Sequence, residues 1–167
     1  MRSAFFARLL AIGQALFTVG YFSYMFYIAF SWGFTPRIIQ ILVTDSIYLF
    51  FLISSVGLFL FKSWGWWVTV ILYGKLLLSK VIGAGSEWFL LLTGTIAERW
   101  QWGMFFADFF IMLLYVLVLV VLFTKQREKF KIEDRGVRLA VLVCVGVVLL
   151  YSLYFIAALW LIIQLGV

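Results

Sequence analysis

The sequence predicts an all-α, polytopic integral membrane protein with five transmembrane helices and one further interfacial, amphipathic segment on the outer side. Three observations carry that expectation. Hydrophobic residues make up 66% of the 167 and charged residues only 12%, whereas a soluble domain is roughly a quarter charged and about half apolar. The apolar residues fall in runs near the ~20 residues that one helix needs to cross a bilayer. The segments between runs are short and hold most of the lysines and arginines, as contact with headgroups demands. Five spans use up the chain, so residues 1–167 form a single transmembrane domain.

The first span is expected at 9–32. "MRSAFFARLL" opens with Arg2 and Arg8 in the manner of a signal peptide, but the apolar run continues to Phe30. That is well past the 7 to 15 apolar residues of a cleavable signal, so the segment is read as retained. In "WGFTPR", Gly33 breaks the helix, Thr35 offers an N-cap, and Pro36 suits the first helical position. The second helix begins near Pro36, crosses at 42–61, and is expected to return beside the first. After "FKSWGWW" a third span at 66–85 ends in "GAGS", whose glycines continue a helix poorly.

Residues 87–103 carry Trp88, Trp100 and Trp102 around an apolar run too short to span, which suits the outer interface. Thr95 and Glu98 have capping-box spacing for a helix starting near Ile96 and crossing at 104–123. A basic loop at 125–138 and a last span at 139–165 complete the chain. There is no internal repeat and no interdomain linker.

Placing the N-terminus in the cytoplasm puts Arg2, Arg8, Lys62, Lys125, Arg127, Lys129, Lys131, Arg135 and Arg138 inside, against Arg37 and Arg99 outside. Nine against two fixes the expected orientation by the positive-inside rule, with the C-terminus outside and the plasma (inner) membrane as the location. Trp64, Trp66 and Trp67 then fall at the inner boundary and Trp32, Trp88, Trp100, Trp102 and Trp160 at the outer one. The 125–138 loop reads as a solvated turn that touches anionic lipid. The net charge of +6 is accounted for in this way and does not point to nucleic acid. Cys144, the lone cysteine, reads as a small packing residue.

Ionisable residues inside spans are costly and mark structure or function. At 1.5 Å per residue, Lys75 lies near the midplane and Lys80 about 7 Å nearer the outer surface. Asp108 shares the depth of Lys80, and Asp45 is slightly shallower, so Lys80 is expected to pair with one of them. The separation of five positions rotates the lysines about 140° apart on the helix. Lys75 has no acid at its depth; Tyr115, seven residues past Asp108, is expected to offer its hydroxyl. Asp45, Tyr48 and Ser55 form a stripe on the second span, and Gly13, Gly20, Tyr24, Tyr27 and Ser31 a small and polar face on the first. Such stripes either pack helices or line a polar cleft with Lys75 as its floor and Asp45, Lys80 and Asp108 as its rim.

With no histidine, the chain lacks the commonest general base, metal ligand and haem ligand. A metal site, a cofactor and a catalytic role are therefore not expected. A Schiff base between Lys75 and an aldehyde chromophore lacks any accompanying motif. Two readings remain. In the first the protein is a non-catalytic subunit or accessory component of a larger membrane complex, or a homo-oligomer, whose lysines and aspartates hold partner helices. In the second it is a small transporter or binding component for a polar or anionic molecule or lipid headgroup, using Asp45, Tyr48, Lys75, Lys80, Asp108 and Tyr115.

Overall fold

The structure, a computed structural model, describes residues 2–94, 102–126, 130–132 and 136–165. Every regular element among them is helical: α1 Arg2–Trp32, α2 Pro36–Asp45, a 3-10 turn Ser46–Leu49, α3 Phe50–Phe59, α4 Ser63–Leu92, α5 Trp102–Val121, a π turn Leu122–Gln126, and α6 Val137–Leu165. Among the described residues five helical stretches are long and apolar enough to cross a membrane: Phe5–Trp32, Pro36–Phe59, Ser63–Leu92, Phe105–Thr124 and Val137–Leu161. The polytopic membrane protein that the composition predicts is therefore the fold observed.

The turn into α2 is built as expected, with Pro36 at the first helical position and Ile38 N–H donating to the Thr35 hydroxyl at 3.3 Å. The second span is nevertheless not α-helical throughout. It tightens to a 3-10 turn at Ser46–Leu49 without glycine or proline while its backbone stays right-handed helical, and its main neighbours change across that turn: α2 packs on α6, whereas α3 packs on α1 and α4. The α3 half therefore packs along α1, while α2 meets α1 at its end through Asp45 and Tyr21. Side-chain hydroxyls add to the backbone bonds at this turn: the Thr18 hydroxyl reaches the Tyr48 carbonyl at 3.1 Å and the Ser46 hydroxyl the Val43 carbonyl at 2.7 Å.

α1 turns a heptad seam inward, with Ala7, Ala11, Gln14, Thr18, Met25 and Ala29 buried. The face expected from Gly13, Gly20, Tyr24, Tyr27 and Ser31 points outward instead: Tyr24 and Tyr27 are exposed, and a Cβ at Gly13 or Gly20 would meet nothing within 4 Å. Small residues near the seam do pack helices, but elsewhere. α3 and α4 cross at Gly57 and Gly65 with backbone against backbone. On α4 and α6 each glycine receives the other helix's side chain: Val147 sits over Gly74, and Ile71 over Gly146.

α4 does not stop at "GAGS"; its 30 residues continue through Gly83 and Gly85 to Leu92. Glycine's ~1 kcal/mol handicap in a helix is smaller than the cost of freeing backbone groups in hydrocarbon. At about 45 Å α4 outruns a ~30 Å hydrocarbon core, so the start of the expected interfacial segment, through Leu92, is the projecting end of α4. Residues 95–101, with the proposed cap at Thr95 and Glu98, lie outside the described residues.

The end of the bundle near Arg8 is more ordered than a solvated loop requires. Phe130 and Ile132, in the basic loop, are buried, and the Phe130 ring lies 5.8 Å from that of Phe61. Phe61 holds a left-handed backbone (φ 52°) at the end of α3, a conformation costing a non-glycine residue about 1–2 kcal/mol; its ring contacts offset that cost. Trp66 is not a belt residue: it is fully buried, and its indole N–H donates to the Leu122 carbonyl at 3.1 Å where α5 gives way to the π turn. Cys144 faces outward rather than packing.

Candidate functional site

The intramembrane charges fall into two groups because Lys75 and Lys80 leave α4 in different directions. Lys80 points to α5, where its ammonium and an Asp108 carboxylate oxygen are 2.5 Å apart. The pairing expected from helix rise is thus present, with Asp108 rather than Asp45 as partner. Both side chains are about a third exposed, 39% and 31%, at the rim of the α4–α5 contact.

The pair is testable by a double-mutant cycle. Lys80→Met and Asp108→Leu should each destabilise the protein, and the double variant should lose less than their sum. The coupling should be about 0.6 kcal/mol and at most about 1.7 kcal/mol, the range for polar pairs between membrane helices. Unfolding titrations in mixed micelles measure it, and additive losses would remove the pair.

Lys75 turns to α6 instead. Its ammonium lies 5.2 Å from the centre of the Tyr154 ring, a cation–π geometry, and the Tyr154 hydroxyl lies 3.3 Å from Ser46 Oγ. Asp45, the last residue of α2, accepts a hydrogen bond from the Tyr21 hydroxyl of α1 and acts electrostatically on Lys75 without forming an ion pair with it. Asp45 therefore belongs with Lys75 and not with a rim of three charges.

Tyr48 closes the same region, its ring edge-on to Tyr21 at 5.5 Å and stacked on Phe51 at 5.9 Å. Tyr115 does not accept from Lys75; it lies edge-on to Tyr73 at 5.6 Å and within electrostatic reach of Tyr48. The rotation that separates the two lysines explains this, since α5 is the neighbour of Lys80. Tyr154 and Tyr21 are the members of the cluster that the sequence reading missed.

Two polar groups here are left without a hydrogen bond to any described residue. The Lys75 ammonium, with three N–H donors, makes no hydrogen bond or ion pair to any described residue. One turn further along α4, Ser79 Oγ is the buried side-chain polar atom among the described residues that lacks a hydrogen bond. Lys75 is linked to the 3-10 turn between α2 and α3 through Tyr154, whose ring lies under its ammonium and whose hydroxyl meets Ser46.

Beneath the site runs a polar ladder that is fully engaged. Gln14 is 4% exposed; its amide donates to the Tyr73 hydroxyl at 3.3 Å, and its carbonyl accepts from Ser54 at 2.8 Å. Thr69 divides its proton between Ser54 Oγ at 3.1 Å and the Gly65 carbonyl at 2.6 Å. The ladder ties α1, α3 and α4 together and supports the tyrosines above it.

The fold and site define a class, a helical polytopic integral membrane protein with ionisable groups inside its bundle. No family model, curated protein or solved structure matches the chain.

Proposed function

We propose that the chain is a non-catalytic binding or carrier component of the membrane, holding the anionic or polar end of a small molecule or lipid at Lys75. The observation that carries this reading is the Lys75 ammonium, which sits over Tyr154 beside the 3-10 turn of the second span with no hydrogen bond to a described residue. A charge inside a span costs at least about 2.5 to 3.5 kcal/mol, and here no protein carboxylate offsets it directly. The other reading, a subunit whose charges hold partner helices, draws less support. Lys80 and Asp108 are occupied with each other, and Asp45 is occupied by Tyr21. The same proposal keeps the N-terminus cytoplasmic, the C-terminus outside, and the basic 125–138 loop against anionic headgroups of the plasma membrane.

Thermal unfolding of detergent-purified protein tests the site, with benzoate and inorganic phosphate as probes at constant ionic strength. At least one anion should stabilise the wild type, by about 2.7 kcal/mol at a hundred times its Kd. Lys75→Met should lose that response while being at least as stable without anion, since it removes a desolvated charge. Equal responses of the two proteins would sink the proposal.

A further inference from the structure

We infer that the groove between α1 and α3 at the Arg8 end is a binding site for an anionic phospholipid, with the phosphate on Arg8 and an acyl chain in the groove. The groove has a volume of about 300 Å³ and is lined by Ala11, Ala15, Ser55, Val56, Phe59 and Leu60 among others. That volume is at the lower end for ligand sites. Its lining is apolar in effect, because the Ser55 hydroxyl is turned away to the Phe51 carbonyl at 2.6 Å. Alanines on α1 keep the groove open where larger side chains would fill it.

The mouth carries the charge. Arg8 lies one turn before Ala11 on α1, and its guanidinium rests 5.6 Å from the centre of the Phe59 ring and 5.5 Å from that of Phe61. Phe59 is thus both wall of the groove and platform for the arginine. A guanidinium stacked on aromatic faces keeps its N–H edge free, and that edge matches phosphate oxygens in pairs. Arg8 has no ion pair among the described residues. Phe61 is itself held by Phe130, so the platform is anchored to the basic loop.

Charge and depth together select the occupant. A cation near the start of the first span faces the headgroup layer, and an apolar groove running inward from it follows the direction of an acyl chain. A zwitterionic lipid would fit the groove equally but leave Arg8 without net compensation. A transmembrane helix would fill the groove without using the arginine. The inference is independent of Lys75, which lies deeper and faces α6.

The experiment uses the full chain in nanodiscs that contain dioleoyl phosphatidylglycerol or dioleoyl phosphatidylcholine, each doped with the same lipid bearing a photoactivatable acyl chain. Labelling of peptides covering residues 8–15 and 55–60 is quantified by mass spectrometry. The glycerol lipid should label them at least fivefold more than the choline lipid. Arg8→Gln should reduce that preference to near unity, and Ala15→Phe and Val56→Phe, the second at an exposed position, should reduce labelling by both lipids severalfold. Equal labelling in the wild type, or an unchanged preference in Arg8→Gln, would overturn the inference. So would displacement of the lipid by millimolar inorganic phosphate, which would reassign the mouth to a free anion, or peptide–peptide cross-links in place of lipid adducts, which would reassign the groove to a helix.

Discussion

Replacing Gly65 with alanine should destabilise the protein by about 3 kcal/mol, near the upper end of overpacking penalties. A Cβ there would lie 2.7 Å from the Leu58 amide nitrogen and closer still to the backbone of Gly57. None of these atoms ends a flexible side chain, so relief requires α3 and α4 to separate. Separation would stretch the Thr69–Ser54 bond, now 3.1 Å, and shift the buried Trp66 from the Leu122 carbonyl. Alanine's better helix propensity returns at most about 1 kcal/mol and does not offset this. Gly83→Ala, on the same helix where a Cβ meets nothing within 4 Å, isolates that propensity term and should be neutral to slightly stabilising. Detergent unfolding of the two variants decides the matter: if Gly65→Ala falls within about 0.5 kcal/mol of Gly83→Ala, the close crossing does not exist.

Such a crossing was only half legible in the sequence. The five spans follow from composition and run length, because a bilayer permits few alternatives to apolar helices. Which glycine packs and which faces lipid does not follow. Gly65 and Gly57 touch, whereas Gly13, Gly20 and Gly83 are open, and nothing in the local residues distinguishes them. The same indifference hid the end of α4, where "GAGS" reads as a stop in water and is traversed in hydrocarbon. The 3-10 turn at Ser46–Leu49 carries no glycine or proline; it falls where the main neighbours change from α6 for α2 to α1 and α4 for α3, a tertiary feature with no local signature.

For the site, depth was readable and direction was not. Helix rise brought Lys80 and Asp108 to one layer, and the 140° rotation separated Lys75 from them. The partner of Lys75 depended on how α6 is rotated, and α6 is apolar on nearly every side, so Tyr154 had no signature. Gln14 escaped for another reason: an uncharged amide in an apolar run raises no alarm. Its heptad spacing with Ala7, Ala11, Thr18 and Met25, all buried, was the signal available.

Gln14 also supports the second large effect. Gln14→Leu should cost about 2 kcal/mol although it exchanges a polar side chain for an apolar one of similar size inside an apolar bundle. Deleting the amide strands partners on two helices: Ser54 loses its acceptor at 2.8 Å and Tyr73 its donor at 3.3 Å. An unmet buried group costs about 1–3 kcal/mol, more than the net gain of a typical bond. Membrane hydrogen bonds average about 0.6 kcal/mol each, so bond loss alone would account for only about half of the effect. The two contributions separate in a combined variant. Ser54→Ala added to Gln14→Leu removes one stranded group, and the pair should recover about 1 kcal/mol relative to Gln14→Leu alone if desolvation dominates. A double variant weaker than either single one would instead show that Ser54 is held independently by Thr69, and that the ladder is a set of local bonds rather than one connected support beneath the Lys75 site.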